Sequence, residues 1–333
     1  MTDRFSLLRL PQDSLKSVLR SMEPLHLILF SFFSKRAKTL VTSINLKSKV
    51  TAEISNVFTI YVNVGEQQLE FEFYSNEIKY DGIPMKMGTP GIVNLFDGES
   101  KGYKVPKVMD IPSWFSHIKT IFNCPKIFQL EFFLDVGNFD LDSIKDTMIQ
   151  ENIHHLVVST SIADEFNYEI MKTFGNMNHL YLDDDSYENG KPPGEVLIQN
   201  FCKCQVGYYS ISSTTMKLDD ILMMNSKVVL LLHSELTEKD ANRFLKLWMR
   251  GKSKLEFFSL SFSKEIVVDR DTLLKGIKFQ EVPLEVKRFF IGFEVPIEGG
   301  IDVIRRDGTR GTIKLEGRYM DFYIWHDYCK VEK

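Results

Sequence analysis

Side chains of the types that bind metals occur in two short stretches of the sequence. Asp183, Asp184 and Asp185 form an acidic run, but such a run directly after a predicted strand is usually a solvated turn. His154 and His155 are adjacent, and neighbouring residues of a strand point to opposite faces. The two imidazole rings are therefore not expected to share one ion.

The cysteines and the known catalytic motifs give no stronger signal. Cys202 and Cys204 form a CxC pair, but no second Cys or His pair lies at the spacing of a zinc finger. The sequence contains no P-loop, no GxGxxG, no GxSxG and no HExxH motif. We therefore expect no metal, no cofactor and no enzymatic activity. An unrecognised active site in an α/β domain is a weaker alternative.

Composition limits the class of protein. The 333 residues suggest about two domains, and 41 basic against 45 acidic residues give a net charge of −4, which offers no general attraction to nucleic acid. Four dispersed cysteines without a CxxC pair favour reduced thiols. We expect an intracellular protein of the cytoplasm or nucleus.

The most apolar stretch of the chain is LHLILFSFF, residues 25–33. It follows a polar, proline-containing segment and has no cleavage site, so it does not resemble a signal peptide. It is also far shorter than the roughly 20 residues that cross a bilayer. The sequence therefore predicts no membrane association.

Three short helices account for this region better. Pro11 and Pro24 fit first helical positions, and Ser34 fits an N-cap. Apolar residues between the two prolines recur at i, i+3, i+4 and i+7, and the segment after Pro24 is apolar on nearly all sides. Three such helices are too small to form a stable core alone, so they must dock onto the rest of the chain or onto a partner.

The spacing of these residues resembles an F-box. The matching positions are Leu10-Pro11, Leu15, Val18-Leu19, Met22, Pro24, Leu27, Phe30-Ser31 and Ser34-Lys35. The resemblance implies a three-helix module that binds a Skp-family adaptor and, through it, a cullin-RING ubiquitin ligase. It assigns adaptor binding to Leu10, Pro11, Leu15, Val18, Leu19, Leu27 and Phe30, of which we expect about half to face outward.

Residues 48–125 read as a β-hairpin followed by an irregular connector. The alternating segments VFTIYVNV and LEFEFY flank GEQQ, which predicts two strands and a turn. Glycine- and proline-rich sequence then continues to about residue 112.

Residues 126–282 contain a weak repeat of the form apolar-x-x-apolar-x-apolar. The repeat fits Ile127-Leu130-Phe132, Ile153-Leu156-Val158, Met177-Leu180-Leu182, Val206-Tyr209-Ile211 and Leu255-Phe258-Leu260, and partly Val228-Leu231-His233. The intervals agree with the period of about 20–29 residues of leucine-rich repeats, in which strands and returning helices stack. A generic α/β domain with parallel strands is the alternative.

In a repeat of this kind, the residues between the apolar positions would line one exposed strand face. They are Glu131, Phe133, Val157, Ser159, Tyr181, Asp183, Ser210, Ser212, Ser259 and Ser261. We take Phe133, Tyr181 and Asp183 as candidate contacts with a bound target protein, since exposed aromatic residues often anchor interfaces. A solvated face without a ligand is equally compatible with the pattern.

Residues 283–333 return to β-structure. Asp307-Gly308 lies between alternating arms, a strong hairpin signal, and FYIW at 322–325 predicts a further strand. Arg305, Arg306 and Arg310 lie beside the hairpin tip, where they could contact an acidic partner or remain solvated.

The segment LTEKDANRFLKLWMRGKSKLEFFSL at 236–260, with RRDGTRGTI further on, resembles the F-box-associated type-2 domain of a large nematode family. The likeness spans about 200–280 and implies that this region binds substrates of the ligase.

The predicted fold is therefore α+β or α/β. It has a three-helix F-box (1–47), a β-rich connector (48–125), a leucine-rich-repeat-like strand–helix domain (126–282) and a C-terminal β segment with a hairpin (283–333). The expected function is that of a substrate-recruiting adaptor, and the alternative is an interaction scaffold without a ligase role.

Overall fold

The computed structural model describes residues 7–74, 86–98, 102–105, 109–133, 139–148, 151–159, 164–174, 177–183, 187, 191–208, 214–262 and 267–329. The chain forms two compact units, Met1–Leu156 and Val157–Lys333. The sequence predicted four segments. Packing places the three N-terminal helices in the same unit as the β-rich segment that follows them, as expected for helices without a core of their own.

The first unit contains five described helices and a six-stranded sheet. The helices are α1 (Gln12–Arg20), α2 (Pro24–Ser31), α3 (Lys35–Thr42), α4 (Ile111–Ile121) and α5 (Leu141–Met148), after a 3-10 turn at Leu7–Arg9. The strands are β1 (Lys49–Ile54), β2 (Phe58–Val64), β3 (Gln67–Tyr74), β4 (Ile92–Phe96), β5 (Tyr103–Lys104) and β6 (Ile127–Phe133). Their order is β6-β1-β2-β3-β4-β5, with β1 parallel to β6 and the other neighbours antiparallel. The boundary between the units falls within β7 (Ile153–Ser159).

Local sequence signals account for most of this unit. Pro24 begins α2, and the Ser34 hydroxyl caps α3 by accepting a hydrogen bond from the Ala37 amide at 3.1 Å. The predicted hairpin is confirmed, and Gly65 supplies a positive φ of 61° at its turn.

Helix α4 is the main element that was not predicted, because residues 48–125 were read as a hairpin followed by an irregular connector. Asp110 caps it, with Asp110 Oδ1 accepting from the Ser113 amide at 2.8 Å. Its buried residues Ile111, Trp114, Phe115 and Ile118 follow helical spacing. This helical spacing is visible in the sequence, but it directly follows glycine- and proline-rich sequence, so the whole region was read as a connector.

The second unit combines parallel and antiparallel strands in one sheet. Its strands are β8 (His179–Leu182), β9 (Lys203–Val206), β10 (Val228–Ser234), β11 (Phe257–Phe262), β12 (Phe279–Arg288), β13 (Ile297–Ile304), β14 (Arg310–Glu316) and β15 (Tyr319–Ile324). Its helices are α6 (Asp164–Phe174), α7 (Gly194–Leu197), α8 (Leu218–Met223), α9 (Glu238–Arg250) and α10 (Arg270–Leu274), with a 3-10 turn at Asp327–Cys329. The order is β12-β13-β14-β15-β11-β10-β9-β8; β8 to β11 are parallel, and the rest pair antiparallel.

The predicted strand–helix alternation is present, but two of the repeat triplets were placed out of phase. In Val228-Leu231-His233 the middle position was wrong, because Val229 and not Leu231 is paired with Phe258. The repeat triplet Val206-Tyr209-Ile211 was placed too far along the chain. Strand β9 ends at Val206, and the residue paired with Leu180 is Cys204. Tyr209 and Ile211 lie outside the described residues. The predicted helix at α9 is confirmed, with Thr237 and Asp240 forming the capping box. The Asp307-Gly308 turn is confirmed as well, and the strand predicted at FYIW is present as β15, which ends one residue earlier, at Ile324.

The expectation of an exposed strand face between the repeat positions was wrong for most of its residues. Glu131, Val157, Ser159, Tyr181, Asp183, Ser259 and Ser261 are all buried. Side chains on neighbouring strands stand about 4.8 Å apart and cover one another. The Lys203 ammonium lies over the Tyr181 ring at 4.8 Å, and the Ser259 hydroxyl donates to Asp321 Oδ1 at 2.6 Å. Ser210 and Ser212 lie outside the described residues. None of the helices within the described ranges is long and apolar enough to span a bilayer.

Candidate functional site

The seven predicted adaptor-binding residues divide into a buried and a surface set. Leu15, Leu19 and Leu27 are buried and hold the three helices together. The surface set contains Leu10, Pro11, Val18 and Phe30, which are exposed or half-buried. The division agrees with the expectation that about half of the seven face outward.

Helix α4 is the platform on which the N-terminal helices rest. Ser31 Oγ donates to the Ile28 carbonyl at 2.6 Å, so it is left to accept from His117 Nε2, at 2.8 Å. The Phe32 ring stacks on the His117 ring at 4.5 Å and meets Trp114 edge-on at 5.3 Å. These contacts fix the C-terminal end of α2 and therefore the direction of the side chains beyond it.

Phe33 is the most exposed large apolar residue of this region, and the sequence analysis did not select it. Its side chain is 82% exposed, and its ring lies 6.4 Å from that of Phe30. A phenylalanine pair on the surface leaves apolar area in water that a partner would cover. The available signal was the length of the apolar run, which continues two residues past the end of α2 at Ser31.

The residues predicted to contact a target do not form a common surface patch. Tyr181 and Asp183 are buried, and Asp183 Oδ2 accepts from the Ser159 hydroxyl at 2.7 Å. Phe133 is half-buried at the end of β6, in the first unit. Asp184 and Asp185, the rest of the acidic run, lie outside the described residues. Because Tyr181 and Asp183 are buried, they contribute to the packing of the sheet and not to an exposed surface.

The predicted opposite orientation of His154 and His155 was wrong. Their rings are stacked 4.7 Å apart, and both lie near the Phe128 ring, at 6.4 and 4.4 Å respectively. Both lie near the start of β7, where their packing on Phe128 departs from strict alternation. Burial and the positive charge of Lys126 lower the pKa of His154. Cys202, the residue before β9, is exposed, whereas Cys204 within β9 is buried.

A cleft of about 710 Å³ lies on the helical side of the second unit. Its walls come from the residue after α7, from the C-terminal turn of α8, from α9, from residues 251–255 and from the turn at 305–307. Four rim side chains are between 43% and 55% exposed although they are apolar: Ile198, Leu222, Met223 and Leu247. Such a concentration of exposed apolar side chains around a concavity is typical of a binding site.

The floor of the cleft contains two polar atoms without a partner. Ser226 Oγ and Trp248 Nε1 are buried and form no hydrogen bond with the described residues. The other floor residues belong to the hydrophobic core, among them Phe244 and Phe258, whose rings lie 4.6 Å apart. Unpaired buried donors are uncommon in native proteins, which gives the floor some capacity to bind a ligand after a small rearrangement.

One wall of the cleft is fixed by a buried arginine. Arg305 donates to both oxygens of Asp307 at 3.0 Å and to the Ser253 carbonyl at 3.2 Å, and its guanidinium lies 5.3 Å from the Trp248 ring centre. The guanidinium holds the pKa of Asp307 well below its usual value. Of the two alternatives for Arg305, partner contact and a solvated side chain, neither describes it, because it is buried and its hydrogen bonds are used within the chain.

Two exposed lysines contribute the remaining charge of the cleft. Lys252 and Lys254 line it and form no ion pair with the part of the chain that the structure describes. Asp307 is the acidic lining residue, and Arg305 neutralises it. The carbonyl end of α9 adds only about half a negative charge. The cleft is therefore apolar with a net positive rim.

The comparisons with known proteins fall on these two regions. The family model described as F-box domain matches residues 7–49, and the one described as F-box associated matches residues 193–260. The first match covers the 3-10 turn and α1 to α3. The second covers the helices and strands from α7 to β11 that form most of the cleft. No curated protein and no solved structure matches the chain significantly. The chain thus carries an F-box domain at residues 7–49 and, in its second unit, an F-box associated domain at residues 193–260.

Proposed function

We propose that the chain is the substrate-recruiting subunit of a Skp/cullin/F-box type ubiquitin ligase. The F-box helices bind a Skp-family adaptor, and the F-box associated domain binds a target protein. The mechanism is proximity, because holding a target near the charged ligase raises the effective concentration of its lysines. In this proposal the chain performs no bond chemistry itself, and it acts inside the cell, in the cytoplasm or nucleus.

The observation that carries the proposal is the apolar surface of the F-box region. Val18, Phe30 and Phe33 are exposed or half-buried within the matched F-box, while α2 and α3 pack on α4. Covering such side chains contributes about 25 cal/mol per Å² of apolar area. A folded unit that leaves these residues in water is well suited to bind a partner there.

The finer architecture of the second unit belongs to the same proposal. We infer that β8 to β11 and their helices are leucine-rich-repeat-like. Leu180, Cys204, Val229 and Phe258 support this, because they are aligned across four parallel strands and all are buried. An experimental structure in which these strand–helix units do not stack regularly would contradict it.

Co-purification with a Skp-family adaptor tests the function. The tagged full chain is expressed together with the adaptor and captured, in parallel with a Phe30→Ser/Phe33→Ser variant. A control variant, Val267→Ser/Val295→Ser, removes two exposed apolar side chains from the second unit. We expect the adaptor with the wild type and the control, and a loss of about tenfold or more with the F-box variant.

Absence of the adaptor from the wild-type capture would overturn the proposal. If other proteins were still captured, the chain would act as an interaction scaffold without a ligase role. Retention of the adaptor by the F-box variant would instead show that it binds elsewhere.

A further inference from the structure

We infer that the cleft of the F-box associated domain binds a short segment of the target that presents a large apolar side chain flanked by carboxylates. The inference rests on the proposed function, since it names the chemistry of the target that the second unit recruits.

The apolar part of the segment follows from the rim and the volume. Leu222 and Met223, at the end of α8, and Leu247, on α9, expose more than two fifths of their side chains around the opening. A volume of about 710 Å³ lies within the range of roughly 300–1,000 Å³ typical of ligand clefts. It admits one or two large side chains and is too small for a folded surface to enter.

The acidic part follows from the charge. Lys252 and Lys254 stand at the cleft without an acidic partner among the described residues, and Arg305 is already bound to Asp307. An acidic segment gains two charge pairs at the rim, whereas a basic segment meets two like charges. Rim charges of this kind act mainly on specificity and on the rate of association.

The unpaired polar atoms of the floor add a third element. Ser226 Oγ and Trp248 Nε1 have no partner within the described residues, and both side chains line the cleft. Both atoms are buried, so the segment reaches them only with an acceptor on its inserted side chain, after a small rearrangement of the floor. An acceptor that takes a hydrogen bond from Trp248 Nε1 gives this buried donor a partner. The resulting stabilisation exists only in the bound state and therefore favours binding.

Fluorescence anisotropy with labelled peptides tests the inference. The probes are peptides of about ten residues with a central Leu, Phe, Tyr or Trp, flanked by Asp and Glu, by Lys and Arg, or by Ser and Gly. We expect the acidic set to bind the full chain, more weakly as the salt rises from about 0.05 M to about 0.5 M. The basic set is expected not to bind.

Two variants and two controls locate the binding. Leu222→Ser/Leu247→Ser removes apolar rim area, and Lys252→Glu/Lys254→Glu reverses the rim charge; all four residues are exposed, so the fold is retained. Each variant is expected to lower the affinity of the acidic peptides about tenfold or more. Leu284→Ser and Lys278→Glu, at exposed positions outside the cleft, are expected to leave it unchanged.

The inference is overturned if no peptide set binds, if the basic or neutral set binds as tightly as the acidic one, or if both cleft variants bind like the wild type. Adaptor binding is measured on the same preparations. If the wild type does not bind the adaptor, the proposed function fails whatever the peptides do. If it binds the adaptor while the cleft variants bind peptides normally, only the assignment of the cleft fails.

Discussion

The F-box region and the F-box associated domain both place apolar side chains in water, but they do so in different ways. Phe33 projects from the end of α2, on helices whose inner side chains pack onto α4. Leu222 and Leu247 instead border a concavity between helices. A projecting side chain suits insertion into a partner, whereas a cleft suits reception of a partner's side chain. In our proposal, the adaptor therefore receives side chains of the first unit, and the second unit receives a side chain of the target.

The supports beneath the two surfaces differ in the same way. In the first unit, aromatic packing of Phe32 on Trp114 and His117 positions the surface. In the second, hydrogen bonds of the buried Arg305 to Asp307 and Ser253 fix a wall. Removing each support is therefore expected to damage one surface and spare the other.

Trp114→Ala gives the largest expected effect. Trp114 is fully buried and contacts the rings of Phe32, Phe71 and Phe73, so truncation leaves a cavity and costs about 3–5 kcal/mol of stability. Denaturant unfolding followed by circular dichroism measures this loss of stability. We also expect the variant to lose adaptor binding and to keep peptide binding. Trp114→Phe is the matched control, because Trp114 Nε1 has no partner among the described residues and its removal sacrifices no hydrogen bond. An unchanged midpoint for Trp114→Ala would contradict the role of α4 as platform.

Arg305→Ala is the corresponding change in the second unit. It removes charge-assisted hydrogen bonds and the cation–π contact with Trp248, and we expect a loss of about 2–3 kcal/mol. The cost stays below that of breaking a fully buried ion pair, because Asp307 is exposed and is not left as an uncompensated buried charge. Peptide binding is expected to weaken and adaptor binding to persist. Arg305→Lys, which keeps the charge but not the planar fork, should fall between wild type and Arg305→Ala. Equal loss of both activities would contradict the separation of the two surfaces.

Phe33→Ser changes binding without changing stability. Because the side chain is 82% exposed, the free energy of unfolding is expected to stay within about 0.5 kcal/mol of the wild-type value. Adaptor affinity, measured by titration calorimetry, is expected to fall about tenfold, or about 1.4 kcal/mol. Leu222→Ser is the control, since it removes an exposed apolar side chain of the cleft and should leave adaptor affinity unchanged. Unaltered adaptor affinity in Phe33→Ser would remove Phe33 from the interface.

Glu53→Gln gives the smallest effect and concerns the sheet of the first unit. Burial and the neighbouring Glu131 raise the pKa of Glu53 above its ordinary value. The folded state therefore binds this proton more tightly than the unfolded state, and stability falls as pH rises from the unfolded pKa through the folded one. At neutral pH the variant is expected to gain about 0.5 kcal/mol, the size of a like-charge cross-strand pair. The gain should vanish below about pH 4. The contribution of Asp307 to stability has the opposite pH dependence. Its pKa is lowered in the folded state, so it stabilises the fold above the unfolded pKa, and this stabilisation is lost as pH falls. Urea unfolding at several pH values measures both, and an equal gain for Glu53→Gln at low pH would contradict the assignment.

The F-box and the hairpins were predictable because their signals are local. Prolines at helix starts, a serine cap and a Gly turn determine conformation within a few residues of themselves. The cleft was not predictable, because Leu222, Lys254 and Arg305 lie far apart in the sequence and meet only through tertiary packing. Which residues of an apolar stripe remain exposed is likewise decided by neighbours such as α4. The same reason explains why Tyr181 was expected at the surface and is buried.

Titration calorimetry of a purified Skp-family adaptor into the full wild-type chain tests the central claim most directly. The F-box helices pack on their own unit and leave Val18, Phe30 and Phe33 at the surface. We therefore predict a one-to-one complex with a Kd of about 1 μM or tighter. Calorimetry that detects no complex with the folded chain would contradict it.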